Sequence, residues 1–245
     1  MKYRIVGNNL QMVIIDMEKG ERVYAEAGSM VYMSPNMKME AKARGGLLKG
    51  IGRKLAGETF FLTEFTPENG NGYVSFAGNA PGTIIPIEIE SGREFIVQKD
   101  AFLCAEDGVE LSITFQKRLG SMFFGGEGFI LEKLSGKGMA FIHACGDMVE
   151  IDLKEGESVR VDTGSVVGWD AGVDYTIQMV KGIKTIFFGG EGLFLTTLKG
   201  PEKVILQSMT LHNLAMALQP YLPNQGQTSG RSGVLGTFLD ETLGR

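Results

Sequence analysis

The hexapeptide FFGGEG occurs twice in this chain, at residues 123–128 and again at residues 187–192. A glycine-rich run around one acid is typical of a phosphate cradle, a metal-binding corner or a tight turn. A phosphate loop needs Lys and then Ser or Thr after its last glycine, and it opens a helix. Both copies instead run into apolar segments, FILEKL and LFLTTL, that favour strands. We therefore predict a strand-to-strand corner in which the acid accepts turn amides.

A third, weaker copy of this motif, GETFFLTEF, begins at Gly57. Aligning the three copies gives one turn position to a Gly-Glu pair in each, listed here in order: Gly57 and Glu58, Gly126 and Glu127, Gly190 and Glu191. Glycine inside a strand pattern usually marks a bulge, which favours a structural role for these turns. The alternative is that the three glutamates converge and hold a cation. Hard-ion sites usually recruit several oxygens from one loop, which weighs against that alternative.

The remaining candidates for nucleophilic or general-base chemistry are two histidines and two cysteines. His143 alternates with apolar residues in AFIHAC, a pattern typical of a core or interface residue, and His212 falls in a short helical segment. Cys104 and Cys145 lie in apolar runs and are too far apart in sequence for a paired zinc motif. Because neither histidine has a suggestive Ser or Cys partner in sequence, we expect no enzyme, no cofactor and no metal.

These motifs belong to a unit that the chain uses three times. Residues 17–33, 89–105 and 153–169 align without gaps at offsets of 72 and then 64, and Gly20, Gly92 and Gly156 coincide. The segments are short, β-branched and alternating, and Asn-Gly and Gly-rich pairs bound them, as in all-β proteins. We predict three β-sandwich repeats, at about 10–80, 81–145 and 146–207, in a pseudo-threefold arrangement.

The pattern changes after residue 207. TLHNLAMALQPYL, from Thr210, has helical apolar spacing that stops at Pro220. NQGQTSGRSG resembles a flexible linker, and VLGTFLDETLGR closes the chain with a short amphipathic stretch. The predicted organisation is a β body over residues 1–207 and a C-terminal helix, linker and tail over residues 208–245.

The composition of the chain limits the kinds of partner that the protein can bind. The 245 residues carry 24 basic and 29 acidic side chains, a net charge of −5, which argues against general nucleic-acid binding. The first residues contain no long apolar run, and no segment approaches the roughly 18 apolar residues of a membrane span. We expect a cytoplasmic protein, peripheral to a membrane if it contacts one at all.

One segment, MKMEAKARGGLLKGIGRKLAGE at residues 37–58, differs from its repeat partners. The segment contains six basic residues, and Glu40 is its only acidic residue before Glu58. Leucine and isoleucine are interleaved among them at nearly helical spacing. The candidate contact residues are Lys42, Arg44, Leu47, Leu48, Lys49, Ile51, Arg53 and Lys54. A basic amphipathic stretch can bind an anionic membrane surface or a protein partner, and oligomerisation would strengthen such binding by avidity. The alternative is a solvated loop.

RGGLLKGIGRKLAGETFF, APGTIIPIEI and the two FFGGEG segments carry a resemblance to the family named for altered inheritance of mitochondria. The resemblance extends over nearly the whole chain to about Ser208. It implies an all-β fold similar to that of the tryptophan RNA-binding attenuation protein, within the double-stranded β-helix class, and it implies a homo-oligomer. Mitochondrial relatives are associated with inner-membrane organisation, and the family supplies no catalytic residues.

Three functions remain open from the sequence, and an enzyme is the one that the residues favour least. The first is a non-enzymatic β-repeat scaffold or binding module that contacts a membrane surface or protein assembly through the basic segment at residues 37–58. The second is a small-ligand sensor with a pocket between repeats.

Overall fold

A computed structural model describes residues 1–44, 60–117, 129–180 and 194–221. Nearly all regular structure in these ranges is antiparallel β, and one short helix lies near the C-terminus. The predicted all-β fold with a short C-terminal helix is confirmed. No helix in these ranges is long and apolar enough to cross a membrane.

The strands follow the alternating patterns of the sequence and form three sets of six after an N-terminal strand, β1 (Lys2–Val6). The first set is β2 (Met12–Met17), β3 (Val23–Glu26), β4 (Met30–Met33), β5 (Met37–Arg44), β6 (Phe60–Pro67) and β7 (Gly72–Ala77). The second is β8 (Gly82–Ile89), β9 (Phe95–Gln98), β10 (Phe102–Glu106), β11 (Val109–Lys117), β12 (Phe129–Gly136) and β13 (Gly138–Cys145). The third is β14 (Met148–Leu153), β15 (Ser158–Asp162), β16 (Val166–Asp170), β17 (Asp174–Met179), β18 (Phe194–Lys199) and β19 (Glu202–Gln207).

The same pairing scheme recurs in each set. The first strand of a set pairs with the sixth, the sixth with the third, the fourth with the fifth, and the fifth with the second. The third strand is bulged at aligned positions, where the register shifts between Met30 and Tyr32, between Phe102 and Cys104, and between Val166 and Gly168. A bulge bends a strand and re-aims its side chains, so the common bulge gives all three sets the same local twist.

Consecutive sets are joined edge to edge. Strand β3 pairs with β10, and β9 pairs with β16, which produces two six-stranded sheets: β5-β6-β3-β10-β13-β8 and β11-β12-β9-β16-β19-β14. The chain ends leave a four-stranded sheet, β1-β2-β7-β4, and a three-stranded sheet, β15-β18-β17. The pseudo-threefold arrangement, the predicted repeat boundaries and the likeness to the tryptophan RNA-binding attenuation protein stay predictions.

Three apolar clusters fill the body. One contains residues from all three sets, among them Tyr24, Phe95 and Ile205. A second packs the first set against part of the second, around Phe65 and Phe141, and a third packs the second set against the third. Residues Met1–Asn213 form one compact unit. Because the clusters draw on different sets, each set depends on its neighbours for a complete core.

The C-terminal segment follows the predicted spacing. The helix α1 spans Leu211–Leu218, and the hydroxyl of Thr210 accepts a hydrogen bond from the backbone N–H of Asn213 at 3.0 Å. That contact caps the first turn. A single 3₁₀ turn, Gln219–Tyr221, contains Pro220, the residue at which the predicted helix stops. No residue of α1 is buried.

The pairing of β9 with β16 leaves no room for a side chain at Gly168. A Cβ there would lie 2.6 Å from the Ile96 carbonyl oxygen and 2.6 Å from the Phe95 ring. We expect Gly168→Ala to lower the free energy of unfolding by about 1–3 kcal/mol, because overpacking forces strand or ring to shift. Urea unfolding followed by the fluorescence of Trp169, the single tryptophan and fully buried, measures the loss.

Thr176→Ala, on the exposed side of β17, is the control and should leave the urea midpoint nearly unchanged. An unchanged midpoint for Gly168→Ala would contradict the close approach of β9 and β16 at this residue.

Candidate functional site

The second strand of each set ends at the same cleft. Glu26 closes β3, Gln98 closes β9 and Asp162 closes β15, and these three residues occupy one aligned position in the three segments. All three line a cleft of about 110 Å³, which is room for several water molecules or a small solute. The other polar residues in its lining are Asn79, Asp100, His143, Gln207, Thr210, His212 and Asn213.

Hydrogen bonds hold the wall of this cleft in place. Gln207 accepts from the backbone N–H of Cys145 at 2.8 Å and donates to the carbonyl of Gly164 at 2.8 Å, which ties the second set to the third. Asp162 accepts from the N–H of Gly164 at 2.9 Å, and the Gln98 amide donates to Asp100 at 3.0 Å. The lining is therefore preorganised by contacts among its own residues.

His143 lies in this lining, although it is only 7% exposed. Glycines flank its ring: a Cβ at Gly78 would lie 2.4 Å from the ring, and one at Gly82 would lie 2.6 Å from Nε2. Burial lowers the pKa of His143, and a hydrogen bond to the backbone of Ala80 opposes part of that shift. The imidazole is therefore neutral at physiological pH.

Neither cysteine has the lowered pKa of a reactive thiol. Cys145 shares the face of β13 with His143 and lines the cleft, and burial raises its pKa. Cys104 is fully buried, and burial raises its pKa well above the usual range. Because the thiolate is the nucleophile, a thiol with a raised pKa is a poor one at neutral pH.

A buried carboxyl lies near the acidic side of the cleft. Glu132, on β12, is fully buried, and neither of its carboxyl oxygens has a hydrogen-bond partner among the described residues. Burial raises its pKa well above the usual range, and the nearby Glu26 and Asp100 raise it further while Lys99 lowers it. Since an unpaired carboxylate is costly in a low-dielectric interior, this environment favours the protonated form.

The other two sets have threonine at the position of Glu132. Those residues are Thr63 and Thr196, and the Thr196 hydroxyl pairs with that of Thr163 at 2.9 Å inside the third set. The acid in the second set therefore replaces a small hydroxyl that the fold can satisfy locally. Sequence reasoning missed Glu132 because FILEKL reads as an ordinary alternating strand. The signal was available in the alignment, as one acid opposite two threonines.

The motif glutamates, Glu58, Glu127 and Glu191, lie outside the described residues, as do the glycines that precede them. The hypothesis that these three glutamates converge and hold a cation therefore stays a prediction. Within the described ranges, no group of three or more His, Cys, Asp or Glu side chains has an arrangement that could hold a metal ion.

Most of the predicted contact segment also lies outside the described residues. That applies to Leu47, Leu48, Lys49, Ile51, Arg53 and Lys54, and Arg44 is described only as the last residue of β5. The described lysines of the segment are paired. Lys38 lies 2.8 Å from Glu40, and Lys42 bonds to the buried Glu64 and lies 3.7 Å from Glu40. Lys42 is therefore less available to an anionic partner than its position in the basic run predicts.

Glu132 should make stability depend on pH. A carboxyl whose folded pKa is raised favours folding while it is protonated, and that advantage is lost as pH rises above the unfolded value of about 4.3. We expect Glu132→Gln, which keeps the shape without the charge, to be more stable than the native chain at neutral pH. The difference in unfolding free energy should grow as pH rises from about 4 to 7, measured by urea unfolding at each pH.

Glu155→Gln, at an exposed turn carboxyl, controls for the general effect of removing one negative charge and should show no such trend. A difference between Glu132→Gln and the native chain that stays constant across this pH range would refute the buried, protonated state.

A family model described as mitochondrial biogenesis AIM24 matches residues 3–209. An uncharacterized protein of Streptococcus pyogenes serotype M6 is 31% identical over 220 residues, 86% of this chain and 87% of that protein. A crystal structure of another Streptococcus pyogenes protein, 28% identical, covers 90% of this chain and 99% of its own with a TM-score of 0.72. The family resemblance seen in the sequence is confirmed: the chain belongs to the AIM24 family.

Proposed function

We propose that this protein is a non-enzymatic binding module that holds a small polar molecule in the cleft where β3, β9 and β15 end. The observation that carries the proposal is that one aligned position in the three sets supplies Glu26, Gln98 and Asp162 to a single cleft. Polar side chains also supply most of the rest of the lining.

The chemistry of the lining selects the class of ligand. Asp100 and Asp162 are exposed carboxylates at the cleft, and Gln98 and Asn79 add amide groups. Carboxylates accept hydrogen bonds and attract positive charge, so the best-matched ligand is a small amine or another molecule rich in hydrogen-bond donors. The cleft volume of about 110 Å³ limits the enclosed part of such a ligand to a few heavy atoms.

Binding without catalysis agrees with the state of the candidate reactive groups. The raised pKa of Cys145 keeps its thiol protonated, and the ring of His143 is held between glycine backbones and hydrogen-bonded to the backbone of Ala80. A general base must lie within reach of the proton that it removes, and His143 is only 7% exposed. These features support a role for His143 in shaping the wall of the cleft.

A thermal-shift screen tests this function directly. Putrescine, spermidine and arginine should raise the melting temperature, whereas glutamate and citrate should not. At about 100 times its Kd a ligand adds about 2.7 kcal/mol, which corresponds to a rise of roughly 5–10 °C in a chain of this size. Asp100→Asn should reduce the shift, because it removes a cleft carboxylate with little change in volume.

The matched control is Asp174→Asn, an exposed aspartate at the start of β17 and not in the cleft lining. It should respond to the amines as the native chain does. If no compound in the panel shifts the melting temperature, or if Asp100→Asn and Asp174→Asn lose the shift equally, the cleft is not an amine site.

We propose as a second function that the chain is a scaffold that contacts an anionic membrane surface or a protein assembly through the basic segment at residues 37–58. The sequence of this segment supports the proposal. It contains six basic residues, its only acidic residue before Glu58 is Glu40, and apolar residues are interleaved among them. Since Lys38 and Lys42 are paired with carboxylates, the attraction would rest on the later basic residues of the segment.

Reversing the charge of Lys49, Arg53 and Lys54 to Glu together should abolish sedimentation with vesicles of phosphatidylglycerol and phosphatidylcholine. The physical reason is that each basic residue near an anionic surface contributes about 1 kcal/mol. Lys2, Lys19 and Lys154 changed together to Glu provide a charge-matched control outside the segment. Equal vesicle binding by the two triple variants would show that the basic segment is not the membrane contact.

A further inference from the structure

Within the chain, one kind of interface joins consecutive sets. The second strand of one set pairs antiparallel with the bulged third strand of the next, so that Ala25 lies opposite Cys104 and Val97 lies opposite Gly168. These four residues occupy equivalent places in the two interfaces. The same interface, with the same register, therefore occurs twice. It joins the first set to the second and the second set to the third.

The first half of a third such interface is left over in the first set. Strand β4 corresponds to β10 and β16, but its described partner is β7 alone. The effect on burial is large: Val31 is 50% exposed and Tyr32 is 40% exposed, whereas the aligned Leu103 and Cys104 are 2% and 0% exposed. Side chains that are core elsewhere in this protein thus lie open on β4.

The complementary half is left over in the third set. Strand β15 corresponds to β3 and β9, and its described partner is β18 alone. All four residues of β9 are buried, while Ser158, Arg160 and Asp162 of β15 are exposed. Both halves belong to the same compact unit, yet they do not pair with each other in the described structure.

Strand β4 is short and bulged, but it lacks two other features that protect a sheet edge, charged residues and proline. Natural edges carry charged residues or proline that discourage pairing with another chain. Among the eight edge strands of the described sheets, seven contain at least one charged residue, and β8 has Pro86 as well. The sequence of β4, MVYM, has neither. An open, uncharged edge with exposed apolar side chains is a surface suited to strand addition.

We propose that β4 of one copy pairs antiparallel with β15 of a second copy, with Tyr32 opposite Val161, and so repeats between chains the interface that joins the sets within a chain. The register follows from alignment, since Tyr32 corresponds to Cys104 and Gly168, and Val161 corresponds to Ala25 and Val97. The contact is head-to-tail, so the assembly closes as a ring or grows as a filament.

Engineered cysteines test the register and distinguish pairing between chains from closure within one chain. Directly opposed residues of an antiparallel pair lie about 4.5–5.5 Å apart at Cα, within the range that a disulfide spans. The double variant Tyr32→Cys with Val161→Cys is oxidised as the full chain and separated by mass under denaturing, non-reducing conditions. We expect reducible dimers and larger species, and none from either single variant beyond the background that Cys104 and Cys145 give in the native chain.

An intrachain disulfide, visible as a monomer that has lost two thiols, would overturn the proposal, because it shows that β4 and β15 of one copy meet each other. Absence of any disulfide between the two positions would overturn the register. The native chain must also be larger than a monomer by light scattering at about 100 µM, a concentration at which weak interfaces with Kd near 1 µM are populated.

A matched pair of single variants keeps the proposal testable if the cysteine variant folds poorly. Tyr32→Lys places a charge on the open edge and should reduce the light-scattering mass to that of a monomer. Tyr73→Lys changes a tyrosine of similar exposure that packs against Tyr32 but lies one strand inward, on β7. Tyr73→Lys should keep the native mass. Equal masses for the two variants would contradict an interface at β4.

Discussion

The pairing of one set's second strand with the next set's bulged third strand is the constraint on which the rest of the structure depends. It builds both six-stranded sheets and places Phe95, Val97 and Ile205 in a core shared by all three sets. It also fixes where β3 and β9 end. Because nearly every residue of the paired strands is buried, a slip of one residue would move side chains out of their places in the shared core. Two of the three strand ends at the cleft are therefore placed by sheet register.

A common backbone with changed side chains explains how one unit acquires different chemistry. The bulge and the pairing scheme are the same in each set, whereas the residue at the position of Glu132 is threonine in the other two. Where Thr196 satisfies its hydroxyl with Thr163, Glu132 has no partner for either oxygen in the part of the chain that the structure describes. A buried acid of that kind opposes folding at neutral pH, so the surrounding apolar cluster must be stable enough to tolerate it. Such conflicts between local chemistry and fold are most often found at functional sites.

The sequence predicted the parts of this molecule that follow from local pattern. Alternating β-branched segments and the gap-free alignment around Gly20, Gly92 and Gly156 are local signals, and they were sufficient for the all-β class and the short helix ending near Pro220. A pocket between repeats was one of the hypotheses, but the residues of this cleft were not predictable in the same way, because it joins Glu26, Gln98 and Asp162 across sequence separations of 72 and 64 residues. The sequence predicted the environment of His143 only in part. Alternation indicated a core or interface position, but only the packing of Gly78 and Gly82 against its ring shows that it forms a wall of the cleft.

The cleft and the open edge are connected through one strand. Asp162 lines the cleft and is also the last residue of β15, whose free edge is complementary to β4. If a ligand holds Asp162 and Gly164 in one arrangement, it changes the free energy of pairing along β15, and linkage requires that pairing change ligand affinity by the same factor. The coupling would act through backbone order rather than through a long chain of contacts, since Asp162 and Val161 are adjacent. The proposed ligand binding and the proposed assembly are therefore expected to be coupled, so that a change in the strength of either alters the apparent strength of the other.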